Sequence, residues 1–155
     1  MSRACVFLDR DGVINEKAPE HDYIRDWSQF RFLPNVADWI RIVNALDYLV
    51  IVVTNQRGIA RGMMSRDAVD GIHAKMIGEL ARIGARIDDV FVCPHENDVC
   101  ECRKPKPGLV RQAQEKWDID IARSLMIGDS DDDAELAQGC GLRFLRTDGS
   151  GRLMV

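Results

Sequence analysis

Hydrophobic residues in this chain alternate between short continuous runs and stripes with helical spacing. The continuous runs predict buried strands, because a strand covered on both faces is apolar at every position. Such runs lie at residues 4–8 and 48–53, and further strands are predicted at 90–92, 124–127 and 142–145. The helical stripes begin near Pro34 and Ser65 and also cover residues 108–117 and 132–140. Strands that alternate with helices indicate an α/β fold, a compact doubly wound parallel sheet with right-handed crossovers.

The polar segments between these elements complete the predicted organisation. Residues 15–32 are expected to form a long loop after the first strand, and residues 147–155 a polar tail. No internal repeat, low-complexity tract or linker divides the 155 residues. We therefore expect one domain, 1–155, with no room for a separate cap domain.

Composition and charge narrow the class of protein. The chain is 46% hydrophobic and 30% charged, as in ordinary globular proteins. Its net charge of −4 argues against a general nucleic-acid or anionic-membrane binder. No apolar run approaches the roughly 18 residues of a membrane span, and charged residues from Asp9 onward interrupt the first apolar stretch too early for a signal peptide. We expect a cytoplasmic monomer with no nucleic-acid or membrane partner.

Four predicted strands are each followed by side chains suited to phosphate chemistry. They are Asp9 and Asp11, then Thr54, then Lys104, then Asp129. Because the carboxyl ends of parallel strands meet at one edge of a sheet, we expect these side chains to converge. Carboxylates can hold Mg²⁺, and a hydroxyl and an ammonium can bind phosphoryl oxygens. The pattern therefore predicts phosphoryl transfer, with a carboxylate as a possible nucleophile.

These segments resemble four ordered motifs of the haloacid dehalogenase (HAD) superfamily. The motifs are Asp9-Arg10-Asp11-Gly12, Thr54-Asn55-Gln56, Lys104 and Gly128-Asp129-x-x-x-Asp133. The resemblance covers residues 5 to about 146 and implies a HAD-like Rossmannoid fold. It implies that Asp9 is the nucleophile of an aspartyl-phosphate mechanism and that Asp11 is the general acid and base. It also implies that Asp9, the main-chain carbonyl of Asp11, and Asp129 bind Mg²⁺, while Thr54 and Lys104 hold the phosphoryl group.

Five other residues are expected to have capping, supporting or structural roles. Helix capping and the helix dipole are sufficient to explain Asp131 and Asp132 at a helix start. Asp133 fits the family spacing and is a candidate for supporting the metal shell. Arg10 is expected to point away from both motif acids, since alternate residues of an extended segment face opposite sides. His73 is expected to be a surface or internally satisfied residue of the second helix.

A cysteine-rich loop at residues 93–102 is the second strong signal. It contains three thiols and one imidazole, Cys93, His95, Cys100 and Cys102. This set satisfies tetrahedral Zn²⁺ with no open position, which indicates a structural site. The alternative is a set of reduced cysteines without a metal. Zinc would hold in place the residues that follow directly, Arg103 and Lys104.

The zinc loop and the segment after it narrow the resemblance within the superfamily. Together they resemble the capless phosphatases that remove the 7-phosphate of D-glycero-D-manno-heptose 1,7-bisphosphate, and are similar to the histidinol-phosphate phosphatases that share this loop. Residues 54–62 are most similar to the heptose enzymes. A phosphorylated sugar substrate is implied, and the candidate substrate-binding residues are Asn15, Asn55, Gln56, Arg57 and Arg103. Arg57 and Arg61 are also candidates for contact with a second phosphate. The short zinc loop leaves the anomer and the exact sugar open.

Two other classes compete with a phosphatase. A phospho-accepting signalling domain also uses acids, a hydroxyl and a lysine around Mg²⁺, but its acceptor follows a middle strand of the chain. A zinc-binding interaction module would leave Asp9, Asp11, Thr54, Lys104 and Asp129 unexplained. The phosphatase interpretation is favoured because Asp11 is placed to protonate a leaving group.

Overall fold

A computed structural model describes residues 1–154. The helices and strands follow the predicted order. Their bounds are β1 Cys5–Leu8, α1 Val36–Ala45, β2 Leu49–Asn55, α2 Arg66–Arg82, β3 Asp89–Cys93, α3 Gly108–Lys116, β4 Leu125–Gly128, α4 Asp131–Cys140 and β5 Arg143–Arg146. Two short 3₁₀ helices, Trp27–Gln29 and Ile121–Arg123, are additional to the predicted elements. None of the helices described is long and apolar enough to cross a bilayer.

The strands form one parallel sheet with β1 at its centre. The strand order is β3-β2-β1-β4-β5, and β1 is paired with β2 on one side and β4 on the other. This arrangement confirms the predicted doubly wound α/β sheet. Because β1 is central, the residues that follow Leu8 emerge in the middle of the carboxyl edge, where ligands bind in such sheets.

The hydrophobic core has two layers, one on each face of the sheet. Val6 and Leu8 of β1 pack in the cluster that contains the buried residues of α1 and α2. Phe7 belongs to the opposite cluster, with the buried residues of α3 and α4. Alternate residues of β1 therefore anchor helices on both faces, and the strand is held rigidly.

The loop after β1 is more ordered than its polar composition predicts. Trp27, Phe30 and Phe32 form an aromatic cluster, with ring centroids 4.9 Å apart for Trp27 and Phe30 and 5.1 Å apart for Phe30 and Phe32. A bridge between Asn15 and Phe32 ties the two ends of the loop together. The described residues contain no inserted domain at this point.

The prediction of a polar tail is wrong for Thr147, and the residues after it fold back instead of running on as a free tail. Thr147 is buried, and its hydroxyl donates to the carbonyl of Gly12 over 3.0 Å. Thr147 also pairs with Leu153 in an antiparallel bridge. Gly149 and Gly151 have positive φ angles of 84° and 93°, and such glycines allow the chain to turn back on itself. The last residue of the chain lies outside the described residues.

Candidate active site

The predicted motif residues converge at the carboxyl edge of the sheet. They surround a cavity of about 190 Å³. Its lining includes Asp9 and Asp11 after β1, Asn55 at the end of β2, Lys104 after β3, and Asp129 and Asp133 after β4. Thr54, the last residue but one of β2, is fully buried. The topology thus brings the four motifs together, as the sequence predicts.

Lys104 connects two carboxylates at the base of this cavity. Its ammonium donates to Asp9 and to Asp133 over 2.8 Å in each case. Burial disfavours its charge, but Asp9 and Asp133 outweigh burial and raise the pKa of Lys104 above its ordinary value. Burial also raises the pKa of Asp9 well above its ordinary range, and this exceeds the opposing effect of Lys104. A cation beside Asp9 would favour the carboxylate form that a nucleophile requires.

Asp133 is held in place by the turn between β4 and α4. It accepts a hydrogen bond from the main-chain N–H of Asp129 over 3.2 Å, and its own N–H donates to Ser130 over 3.2 Å, which caps α4. Gly128 lies so close that any Cβ there would collide with the Asp133 side chain. The family spacing from Gly128 to Asp133 therefore reflects a tight local fit.

A group of carboxylates at this edge fits a hard divalent cation. Asp9, Asp129 and Asp133 each offer an oxygen, and these oxygens lie within 4.8 Å of one another. An all-oxygen donor set suits Mg²⁺. Lys17, which the sequence analysis did not single out, contacts Asp129 at 2.6 Å. It lies in the loop after β1 without a motif to mark it, and its side chain is 55% exposed, so it is free to rotate away.

Asp11 is surrounded by hydrogen-bond donors. Arg10 donates to Asp11 Oδ1 from Nη2 over 2.8 Å and from Nε over 3.3 Å. Asn15 donates to the same oxygen over 2.9 Å, whereas Gln56 donates to Oδ2 over 3.1 Å. Burial acts to raise the pKa of Asp11, but Arg10 and these hydrogen bonds lower it below its ordinary value.

The expectation that Arg10 points away from both acids is wrong for Asp11. The carbonyl of Arg10 accepts from the N–H groups of Val13, Ile14 and Asn15, so the chain turns sharply instead of continuing as a strand. Within this turn, the Arg10 guanidinium reaches back to the Asp11 carboxylate. The alternation of an extended segment ends at Asp9.

Asn15 and Gln56 do not lie where a substrate could reach them. Their exposed fractions are 0% and 1%. Both side chains contact Asp11, and Gln56 also donates to the Thr54 hydroxyl over 3.0 Å. This burial contradicts the expected role in direct substrate contact. The two amides instead orient Asp11 and Thr54.

Asn55 connects β2 to the loop that carries Lys104. Its side-chain oxygen accepts from the Lys104 N–H over 3.0 Å, and its amide donates to the Lys104 carbonyl over 3.3 Å. Asn55 thus holds the main chain of Lys104 on both sides. Because it also lines the cavity, it remains a candidate for substrate contact.

The cysteine loop folds into a compact cluster of metal-ligating groups. Ligand atoms of Cys93, His95, Cys100 and Cys102 lie within 4.8 Å of one another. Cys93 Sγ is 3.6 Å from His95 Nδ1 and 3.6 Å from Cys100 Sγ, while Cys102 Sγ is 3.2 Å from His95 Nδ1. Sulfur atoms bound to tetrahedral zinc are about 3.8 Å apart for a Zn–S distance of about 2.3 Å, so these residues fit the ion. Burial opposes ionisation of Cys100, but N–H groups including that of Arg103 lower its pKa to about 7.

Replacement of Cys102 by serine is expected to lower the zinc content and to loosen the loop. Serine removes one of the three thiolates, and the next residues, Arg103 and Lys104, lose their fixed position. Metal analysis of freshly purified protein measures the first effect, and tryptic cleavage after Arg103 the second. The matched control is Cys140→Ser, a cysteine outside the cluster. Wild-type protein that contains no zinc would contradict the prediction.

A second cavity of about 390 Å³ opens beside the first. Arg57, Arg103 and Lys106 line it, and it shares Lys104 and Asp132 with the first cavity. Nη1 of Arg103 is buried and has no hydrogen-bond partner among the described residues. This cavity therefore offers positive charge next to the carboxylates, as expected for a second anionic group of a substrate.

The loops at the rim are linked through Glu96 in the zinc loop. Arg61 pairs with Glu96 at 2.9 Å and Arg57 at 3.6 Å. Arg57 also donates to the Tyr23 hydroxyl over 3.2 Å. Arg57 is thus held facing the second cavity, whereas the Arg61 guanidinium is engaged with Glu96.

His73 lies behind the site, in α2, and is buried and satisfied. Its Nε2 is 3.1 Å from Nη1 of Arg10. Because an arginine can only donate, Nε2 accepts and the imidazole is neutral. Burial first, and then the charge of Arg10, lower the pKa of His73 to about 3. This confirms the internally satisfied interpretation of His73 and excludes the surface one.

The neutral state of His73 predicts a pH dependence of folding stability. A histidine whose pKa is lowered by folding contributes its full share of the free energy of unfolding above the unfolded-state pKa of 6.5. This contribution to stability is lost as the pH falls toward about 3. The expected loss is about 1.4 kcal/mol per pH unit within this window. Urea unfolding of wild type and His73→Gln at several pH values measures the difference in slope. Equal slopes for both proteins would contradict the prediction.

Comparison with known proteins identifies the family. The HAD-hydrolase-like family model matches residues 101–149. The D-glycero-beta-D-manno-heptose-1,7-bisphosphate 7-phosphatase of Rhodopseudomonas palustris is 43% identical over 155 aligned residues, which cover 95% of this chain and 84% of that protein. The chain belongs to the haloacid dehalogenase superfamily of phosphatases.

Two further relatives are also named as heptose 1,7-bisphosphate phosphatases. The name of the first specifies the alpha anomer, and the second is a solved structure. The D-glycero-alpha-D-manno-heptose-1,7-bisphosphate 7-phosphatase of Mycobacterium bovis is 44% identical over 135 residues, covering 86% of this HAD phosphatase and 70% of the relative. The crystal structure of D,D-heptose 1,7-bisphosphate phosphatase from B. bronchiseptica, complexed with magnesium and phosphate, has a TM-score of 0.84 and 34% identity. The match covers 91% of this chain and 78% of that one.

Proposed function

We propose that this HAD phosphatase hydrolyses the 7-phosphate of D-glycero-D-manno-heptose 1,7-bisphosphate. The observation that carries the proposal is the 43% identity to a heptose phosphatase along 95% of the chain. The convergence of Asp9, Asp11, Lys104 and Asp129 around one cavity supports the same chemistry. A metal-supported phosphate monoester hydrolysis needs this set of groups.

The reaction proceeds in two displacements. The Asp9 carboxylate attacks phosphorus, and the bond between phosphorus and the oxygen on C7 breaks. Asp11, in the protonated form that the anionic phosphate bound beside it favours, gives its proton to the departing sugar oxygen. Asp11 then takes a proton from water as that water attacks the aspartyl phosphate. Phosphate leaves, Asp9 returns to its carboxylate form and Asp11 holds a proton again.

Other residues position and neutralise the phosphoryl group. Asp9, Asp129 and the main-chain carbonyl of Asp11 would hold Mg²⁺, with Asp133 supporting the shell. When bound, the ion offsets the negative charge on the phosphoryl oxygens. The family resemblance, rather than its buried position in this structure, assigns Thr54 a hydrogen bond to a phosphoryl oxygen. Lys104 keeps Asp9 oriented at 2.8 Å.

The zinc cluster and the rim determine which substrate enters. Zn²⁺ held by Cys93, His95, Cys100 and Cys102 fixes the loop that ends at Arg103. Arg57 and Arg103 then face a cavity beside the reacting phosphate, where the sugar and its second phosphate bind. Unoxidised cysteine ligands suit the reducing cytoplasm, where we place the enzyme.

Phosphate release with Mg²⁺ tests this assignment. The substrates are both anomers of the heptose bisphosphate, histidinol phosphate and simple hexose phosphates, compared by kcat/KM. We expect the highest value for one heptose anomer, and the ratio of the two identifies which. Strong turnover of histidinol phosphate with none of either heptose bisphosphate would overturn the substrate and support the histidinol-phosphatase alternative.

A further inference from the structure

We infer that His73 and Arg10 are positioning residues for proton transfer by Asp11, and that Asp11 Oδ2 is the oxygen that carries the transferred proton. This inference rests on the acid–base role proposed for Asp11. It adds a helix α2 side chain, remote from the cavity, to the groups that set the rate of leaving-group departure.

The hydrogen bonds of Asp11 are unequal at its two oxygens. Oδ1 accepts from Arg10 Nη2 at 2.8 Å, Arg10 Nε at 3.3 Å and Asn15 at 2.9 Å. Among the described residues, Oδ2 accepts only from Gln56, at 3.1 Å. A carboxylate offers about four lone-pair positions in all. Oδ1 is therefore fully engaged, whereas Oδ2 keeps a position that can take a proton.

Arg10 can hold Oδ1 only because its own guanidinium is fixed from behind. Its side chain is fully buried. Nη1 contacts His73 Nε2 at 3.1 Å, and the guanidinium carbon lies 5.8 Å from the centroid of the Phe30 ring. A buried arginine needs partners for its donors. His73 supplies an acceptor without adding charge, so the Arg10 cation remains committed to Asp11.

The consequence for catalysis follows from geometry. With Oδ1 held by Arg10 and Asn15, the Asp11 carboxyl plane is fixed, and Oδ2, which keeps an acceptor position, is the oxygen that can meet a leaving group in the cavity that Asp11 lines. Loss of the acceptor on His73 frees Arg10 to change its hydrogen bonds, and Oδ2 loses its fixed direction. Misplacement of this kind slows only the steps in which Asp11 moves a proton.

The test compares two leaving groups in His73→Leu. A sugar alkoxide needs a proton from Asp11 as it departs, whereas p-nitrophenolate is a stable anion and does not. The value of kcat/KM reports the step that forms the aspartyl phosphate. We expect it to fall about 10-fold or more for the heptose bisphosphate and less than about 2-fold for p-nitrophenyl phosphate. His73→Gln places an amide oxygen near the position of Nε2 and is expected to restore the heptose value.

Controls separate this role from a structural one. Leu80→Ala removes a buried side chain from the same helix, at a distance of seven residues in sequence, and is expected to lower the melting temperature without changing the ratio of the two kcat/KM values. If His73→Leu does not fold, His73→Asn serves, because its shorter amide does not reach Arg10. Equal losses for both substrates, or no loss, would overturn the inference alone. Absence of heptose turnover in the wild type would overturn the proposed function and this inference with it.

Discussion

Replacement of Asp9 by asparagine is expected to lower kcat at least about 10³-fold while the fold is retained. The amide has nearly the same size as the carboxylate, but it cannot attack phosphorus. Its oxygen can still accept the hydrogen bond that Lys104 donates over 2.8 Å. Steady-state phosphate release from the heptose bisphosphate measures the loss, and thermal unfolding checks that the variant is folded.

A second aspartate provides the matched control for this substitution. Asp131 is an acid at the start of α4 and pairs with Arg146 at 2.8 Å on the surface. Asp131→Asn is expected to leave kcat within about 2-fold of wild type, since surface substitutions have small effects. Turnover of Asp9→Asn at the wild-type rate would rule out covalent catalysis by this residue.

Replacement of Asp11 by asparagine is expected to slow turnover by roughly 10² to 10⁴. The amide can keep an oxygen toward Arg10 and Asn15, so the buried network can survive. It cannot give a proton to the sugar oxygen or take one from water, so both displacements are affected. Rapid-quench measurements of sugar release and phosphate release follow the two phases separately.

Comparison of two leaving groups tests the acid–base role of Asp11 more specifically. Asp11→Asn should lose much less activity toward p-nitrophenyl phosphate in the first phase, because that leaving group needs no proton. In the second phase both substrates share the same aspartyl phosphate, and the losses should be equal. Unchanged rates in both phases would reject the acid–base role of Asp11.

The sheet was predictable because its signal is local. β1 and the first five residues of β2 are continuous apolar runs, and β1, covered on both faces, has no exposed residue. The Ser65 cap of α2 was also predictable, and its hydroxyl accepts from the Ala68 N–H over 3.0 Å. The order of helices and strands then required a parallel sheet with the motif acids at its carboxyl edge.

The parts of the site that could not be predicted depend on contacts between distant segments. Lys17 reaches Asp129 across the cavity, and no spacing in the sequence relates the two. His73 contacts Arg10, which is 63 positions away in the chain. A single histidine on an apolar helix face does not indicate which residue it contacts. Asn15 and Gln56 were candidates for substrate contact because of the family resemblance. Only the turn after Asp9 shows that they contact Asp11 from behind.

The central claim is that the phosphoryl group is transferred first to Asp9 and then to water. The stereochemical course at phosphorus tests it most directly, with a heptose bisphosphate analogue whose 7-position carries a chiral thiophosphate labelled with two oxygen isotopes and is hydrolysed in water of the third. Each in-line displacement inverts phosphorus, so two displacements are expected to give inorganic thiophosphate with overall retention of configuration. Overall inversion would show a single direct attack by water and would contradict the account.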